Sequence, residues 1–120
     1  MNKKKPNVCY FVDYENRPYL PLVAFKKKDT VLLFLGQYQK QFNVEFVKQL
    51  LDLRSKIDIE IIQAVGMGKN NLDFHIAYEL GERNRCLNTD IEFVIVSNDT
   101  GFDNLISYIN LKGRLCSRIK

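Results

Sequence analysis

The sequence predicts a three-layer α/β/α sandwich built on a mostly parallel sheet of four to five strands. Short apolar runs recur at VCYFV (8–12), VLLFL (31–35), IDIEII (57–62) and FVIVS (93–97), with helical apolar periods between them. Strands that alternate with helices pair in parallel through right-handed crossovers, and the helices then cover both faces. Size adds a third observation. A chain of 120 residues, 46% hydrophobic and 27% charged, can bury one real core but not two.

The elements follow in order. The continuous run 8–12 is expected of a strand covered on both faces, as is 31–35, closed by Gly36. Residues 57–62 alternate in their first half and predict a strand more exposed on one face. Residues 93–97 form the fourth, and Leu115 to Ile119 a short fifth. Phe42, Phe46, Val47, Leu50 and Leu51 recur at helical spacing, with Asn43 as N-cap and Phe42 and Val47 placed as a hydrophobic staple. Leu72, Ile76, Ala77 and Leu80 make a second apolar stripe after Asn70-Asn71. Phe102, Leu105, Ile106 and Ile109 make a third, which Gly113 is placed to stop. Pro18 and Pro21 break any pattern in 17–30, which predicts a short helix or turn and then a basic loop.

Composition removes several classes of function. No apolar run approaches the roughly 20 residues that span a bilayer. The opening MNKKKPN leads into a run that contains Asp13 and lacks a small-residue cleavage site, which argues against a signal peptide. Cys9, Cys86 and Cys116 form no C-x-x-C pair, so reduced thiols and a cytoplasmic location are expected. His75 is the lone histidine, too little for a Cys/His zinc site or a Ser-His-Asp triad, and is expected to be an ordinary helix residue. The GMGK stretch at 66–69 lacks P-loop spacing. Net charge is +4, with basic residues gathered at Lys3–Lys5, at Lys26, Lys27 and Lys28, at Arg83 and Arg85, and at Arg114, Arg118 and Lys120. Such clusters suit a polyanion, and equally a solubilising surface.

The acidic residues carry the chemistry. In open parallel sheets, ligands collect beyond the carboxyl ends of the strands. Asp13 closes the first run, Asp99 lies just past the fourth, Asp103 is one helical turn on, and Asp73 is in the first turn after the third strand. Three of these have plain explanations. Asp73 suits a helix dipole, Thr100 to Asp103 has capping-box spacing, and Asp99 can serve as an N-cap. Asp13 has none. Carboxylates converging on one edge raise one another's pKa unless a cation stands between them. Mg²⁺ or Mn²⁺ fits such donors, because both take carboxylate and water oxygens.

The same residues carry a family resemblance. FVDYENR (11–17) resembles the D-x-x-N opening of the PIN-like nucleases of NYN type, with Asp13 and Asn16 in the matching places. GKNNLD (68–73) is similar to that family's lysine-then-aspartate segment before a helix. VIVSNDTGFDNLI (94–106) resembles its S-x-D-x-D-F block after the fourth strand. The match runs from residue 8 to about 115 and implies one PIN-like domain over 1–120, whole or part of a longer protein.

The resemblance implies a Mg²⁺- or Mn²⁺-dependent ribonuclease. Asp13, Asp73, Asp99 and Asp103 would be its catalytic metal ligands. Asn16 would orient a carboxylate, a water or a phosphate oxygen, and Ser97 with Asn98 would do so from the fourth strand. Lys69 would reach a phosphate, and Lys26, Lys27, Lys28, Arg83 and Arg85 would guide RNA. The resemblance leaves room for an inhibitory protein partner or a homo-oligomer, and composition predicts no membrane association. One departure stands out. Where the family commonly has a second aspartate two residues after the first, this chain has Gly101, and Asp103 is the next acid. The alternative reading is a catalytically degenerate module that binds RNA or protein. A phosphoacceptor receiver domain is disfavoured, since the third strand ends in Gln63-Ala64 and not in an aspartate.

Overall fold

The computed structural model describes residues 6–120, so Lys3–Lys5 of the first basic cluster lie outside it. Its sheet comprises β1 (Val8–Asp13), β2 (Thr30–Leu35), β3 (Asp58–Gln63), β4 (Glu92–Val96) and β5 (Cys116–Ile119). All neighbours pair in parallel, in the order β3-β2-β1-β4-β5. The helices are α1 (Val44–Arg54), α2 (Asn71–Cys86) and α3 (Asp103–Leu111), with a 3₁₀ turn over Thr100–Phe102. The expected α/β architecture is present, with all five strands at the predicted places.

Alternation on each strand divides the core into two layers. Cys9 and Phe11 of β1 pack with Leu72, Ile76 and Leu80 of α2 and with Ile106 and Ile109 of α3. Val8, Tyr10 and Val12 face the other way, toward Phe46 of α1 and Phe25. Both faces of the central strands are therefore dry, which is why they read as unbroken apolar runs. The edge strand β3 is exposed on both faces and not on one: Ile59 and Ile62 are half-buried on opposite sides, and Ile61 is left in solvent.

The chain moves outward from β1 through β2 to β3, then returns past β1 to form β4. Crossovers consequently lie on one face before the return and on the other after it. At the reversal, between β1 and β4, the loops leaving the carboxyl ends of the two strands part in opposite directions and open a crevice.

Local chemistry fixes the element ends. Asn43 Oδ1 accepts from the Phe46 N–H at 2.8 Å, the expected N-cap of α1. Phe42 packs on the Phe46 ring at 5.1 Å, while Val47 is left exposed. Residues 14–29, the β1–β2 crossover, form turns and no helix. Pro18 and Pro21 remove two backbone donors there. The end of this segment is anchored by the buried carboxylate of Asp29, which accepts from the N–H groups of Val8 and Lys26 at 2.9 and 2.7 Å.

Arg114 departs from its reading as part of a basic tail, being only 2% exposed. Its guanidinium donates to the carbonyls of Asn84, Leu87, Asn88 and Ile91 and lies 4.2 Å from the centre of the Phe93 ring. It therefore caps the end of α2 at Asn84 and Leu87 and ties the following loop to it through Asn88 and Ile91. Among the described residues, no helix is long and apolar enough to cross a membrane.

Candidate functional site

Asp13 ends β1 at the crevice and is completely buried. Asn16 Nδ2 donates to its two carboxylate oxygens at 3.1 and 3.0 Å, and Ser97 Oγ donates to Oδ2 at 2.8 Å. Ser97 is the first residue past β4 and is itself buried. Its Oγ also accepts from the Asp99 N–H at 3.0 Å. One hydroxyl thus ties the ends of the two strands that flank the reversal.

Asp99 caps the 3₁₀ turn, its Oδ1 accepting from the Gly101 N–H at 2.7 Å. A Cβ at position 101 would come within 2.9 Å of that oxygen. Glycine where the resemblance leads one to expect an aspartate therefore lets the Asp99 carboxylate fold against its own backbone.

A cleft of about 490 Å³ opens here, and Asn16, Lys69, Asp73, Asn98 and Asp99 are among its walls. Glu15 lines it as well. Its carboxylate lies where a side chain at Gly36 would be, so the glycine closing β2 makes room for this acid. Sequence reasoning gave Glu15 no role. The available signals were its place two residues after Asp13 and a glycine at the end of the neighbouring strand.

Burial pushes the Asp73 carboxyl up to about 6, assisted by a hydrogen bond shared with Asp99 and by the charges of Asp99, Asp13 and Glu15. Among the described residues, none of these four acids forms an ion pair with a basic side chain; the ion pairs join other residues. A larger hollow of about 620 Å³ lies between α1 and residues 18–25, on the other face of the sheet, and contains none of these groups.

A family model for the PIN domain matches residues 7–119. The chain belongs to the PIN domain family. Its members are generally nucleases, which makes this fold a nuclease-like module. No curated protein and no solved structure gives a significant match.

This PIN domain does not bring every expected residue to the cleft. Asp103 begins α3 near the acidic edge, yet its carboxylate is taken by Arg118, whose Nε donates to Oδ1 at 2.8 Å. That hydrogen bond holds the Asp103 carboxyl below its ordinary range. The capping box anticipated from Thr100 to Asp103 is replaced by this pair.

Lys26, Lys27 and Lys28 precede β2, where the Lys28 N–H bonds to the Lys56 carbonyl and Asn7 Nδ2 to the Lys27 carbonyl. They stand at the amino end of the sheet, a strand length of roughly 17–20 Å from the acids. Arg83 and Arg85 lie in the last turn of α2, whereas Asp73 lies in its first, about 15 Å away along the axis. Arg83 is committed to Glu60 and Glu79. Only Lys69, of the predicted basic residues, lines the cleft.

His75 has both ring nitrogens engaged: Nε2 accepts from the Val65 N–H at 3.1 Å and Nδ1 donates to the Asn71 carbonyl at 2.8 Å. It braces the start of α2.

The donors can be tested against a divalent ion. Among the described residues, no three acidic, cysteine or histidine side chains are gathered closely enough to hold one as placed. Two carboxylates close enough to share a proton, Asp73 and Asp99, are present. Mg²⁺ is commonly held by one or two carboxylates, with waters and substrate phosphates completing its octahedron. An all-oxygen pair with two further acids in electrostatic reach fits that cation. It does not fit zinc, whose sites draw on cysteine and histidine.

Proposed function

We propose that this PIN domain is a ribonuclease of NYN type, dependent on Mg²⁺ or Mn²⁺, spanning residues 1–120 as a single domain. The observation that carries the reading is the cleft lined by Glu15, Asp73 and Asp99, with the charge of buried Asp13 in reach and, among the described residues, no basic side chain paired to any of the four. Like charges so disposed are costly unless a cation arrives.

Asp73 and Asp99 would hold the ion. When bound, it supplies a water acidic enough to act near neutral pH and offsets charge on the leaving oxygen. Asp13, fixed by Asn16 and Ser97, would orient those two side chains at the edge of the site. Asn16 and Asn98 offer amides to a water or a phosphate oxygen, and Lys69 offers a point charge to a phosphate. Asp103 stands behind Arg118 and enters only if that pair opens.

The test is cleavage of an end-labelled single-stranded RNA with and without Mn²⁺, together with thermal melting across a Mn²⁺ titration. Metal-dependent cleavage that disappears in Asp99→Asn, with melting raised by the ion in wild type alone, is the expected result. A wild-type chain that neither cleaves nor gains stability from Mn²⁺ overturns the proposal.

The second reading, a non-catalytic RNA-binding module, draws on the Arg118–Asp103 pair and on the absence of three gathered donors among the described residues. It requires RNA binding that is indifferent to Mn²⁺.

A further inference from the structure

The acidic cleft is the centre of a longer groove. On one side it shares Asp73 and Asp99 with a hollow of about 280 Å³ that also contains Phe74. On the other it shares Glu15 and Gly68 with a second hollow of about 280 Å³, which contains Tyr38. The three adjoin along the carboxyl edge of the sheet. Both aromatics are largely solvent-exposed, Phe74 at 71% and Tyr38 at 68%. Single exposed aromatics are ordinary on a protein surface. One at each end of a continuous groove, with carboxylates between them, is a specific arrangement.

Neither aromatic is on a loose segment. Gln63 Nε2 donates to the carbonyls of Gly36, Gln37 and Gln39 at 3.3, 3.2 and 3.0 Å, and Gln39 Nε2 reaches the Tyr14 carbonyl at 3.4 Å. Tyr38 is therefore presented outward from a braced turn. Phe74 stands in the first turn of α2, which His75 ties to the preceding loop. Rings carried on a braced backbone cost less to order when a flat ligand settles on them than rings on a loose loop.

Electrostatics narrows the occupant. A groove lined by Glu15, Asp73 and Asp99, with Asp13 buried behind them and Lys69 its sole basic side chain among the described residues, gains little from neutralising phosphates. The lysine run is at the other end of the sheet. Affinity for a nucleic acid at this edge has to come from a contact that carries no charge. Stacking of bases on aromatic rings is that contact, and it tolerates any sequence because every base has a π-face.

We infer that Tyr38 and Phe74 are two base-stacking subsites, one on each side of the acidic centre, which hold a single-stranded RNA across the groove. The inference rests on the nuclease reading for its choice of RNA but concerns binding, not cleavage. Paired bases are already stacked in a duplex and cannot lie on both rings, so the groove selects single strands.

The experiment uses the full chain in chelator, so that no cleavage occurs, and a fluorescent 2′-O-methyl RNA octamer of mixed sequence as the probe. Anisotropy titrations compare wild type, Phe74→Ala, Tyr38→Ala, Phe74→Tyr and Tyr38→Phe, alongside an abasic octamer and a duplex. Each alanine variant is expected to lose about 5- to 150-fold in affinity, the range of roughly 1–3 kcal/mol per stacked base. The salt slope should be unchanged because no phosphate contact is removed. The aromatic exchanges should restore binding, and the abasic octamer should not distinguish the proteins.

Equal affinity of wild type and both alanine variants overturns the inference, as does a wild type that binds no octamer. Self-association lost in either alanine variant without an effect on RNA assigns the rings to a protein contact and overturns it as well. RNA binding that depends on both rings, in a chain that Mn²⁺ never activates, leaves the inference standing and removes the nuclease reading. Cleavage that persists with unaltered binding in both alanine variants does the reverse.

Discussion

Arg118 on β5 closes on Asp103 at the start of α3, Nε to Oδ1 at 2.8 Å, while its Nη1 donates to the Ser97 carbonyl at 3.2 Å. The guanidinium occupies a carboxylate that the sequence pattern offers to a metal, and does so while touching the residue that positions Asp13. An ion seeking Asp103 would have to displace a bonded cation. Asp103→Asn is therefore expected to reduce Mn²⁺-dependent cleavage by less than about tenfold, against near-complete loss for Asp99→Asn. Initial rates on one labelled RNA check this, and equal losses in the two variants would return Asp103 to the metal site.

Ser97 Oγ joins the Asp13 carboxylate to the Asp99 N–H in a fully buried position. Ser97→Ala leaves a buried carboxylate oxygen without this donor and strands the Asp99 N–H, at a cost of about 1–3 kcal/mol in stability. Chemical denaturation measures it. Asp13→Asn should abolish cleavage with the fold retained by circular dichroism. It is not expected to gain stability, because the new amide would face the Asn16 and Ser97 donors.

The raised Asp73 carboxyl makes a prediction with a definite sign. A group whose folded-state pKa exceeds its unfolded value holds its proton more tightly when folded. Its stabilising contribution is complete below 3.8 and is lost as pH rises through about 6. In chelator, Asp73→Asn should therefore gain on wild type in melting temperature as pH increases across that window. A difference independent of pH would mean that Asp73 does not sense its neighbours.

Burial pushes the Cys9 thiol up to about 12 and the Cys116 thiol up to about 11, whereas Cys86 is exposed. Near pH 8, one thiol per folded chain should react rapidly with an aromatic disulfide reagent, and the remaining two only on unfolding. Rapid reaction of more than one would place a second cysteine in solvent.

Lys69 and the 26–28 run can be separated by ionic strength. Lys69→Gln should flatten the salt dependence of RNA binding by up to about 0.7 in slope, the value of one single-strand phosphate contact. Lys26–Lys28 changed together to glutamine should leave the slope unaltered, given their place at the amino end of the sheet. A reduced slope in that triple variant would locate part of the RNA path on the opposite end.

Periodicity is a local property, and most of what is local was legible in the sequence, the Val47 staple and the Thr100–Asp103 capping box excepted. The five strands, the Asn43 cap, the stop at Gly113 and the arrival of Asp13, Asp73 and Asp99 at one sheet edge all follow from spacing together with the handedness of crossovers. Partnership across the fold was not legible. Asp103 and Arg118 are 15 residues apart with a helix between them, and only the return of β5 alongside β4 sets one against the other. Arg114 reads as a surface charge until the end of α2 and the loop after it bring four carbonyls round its guanidinium. That Lys26–Lys28 stand at the far end of the sheet from the acids follows only from the direction of β2. Side-chain periodicity records which face of an element is buried, but the pairing of charges depends on which elements become neighbours, and that is fixed by the order in which the strands are laid down.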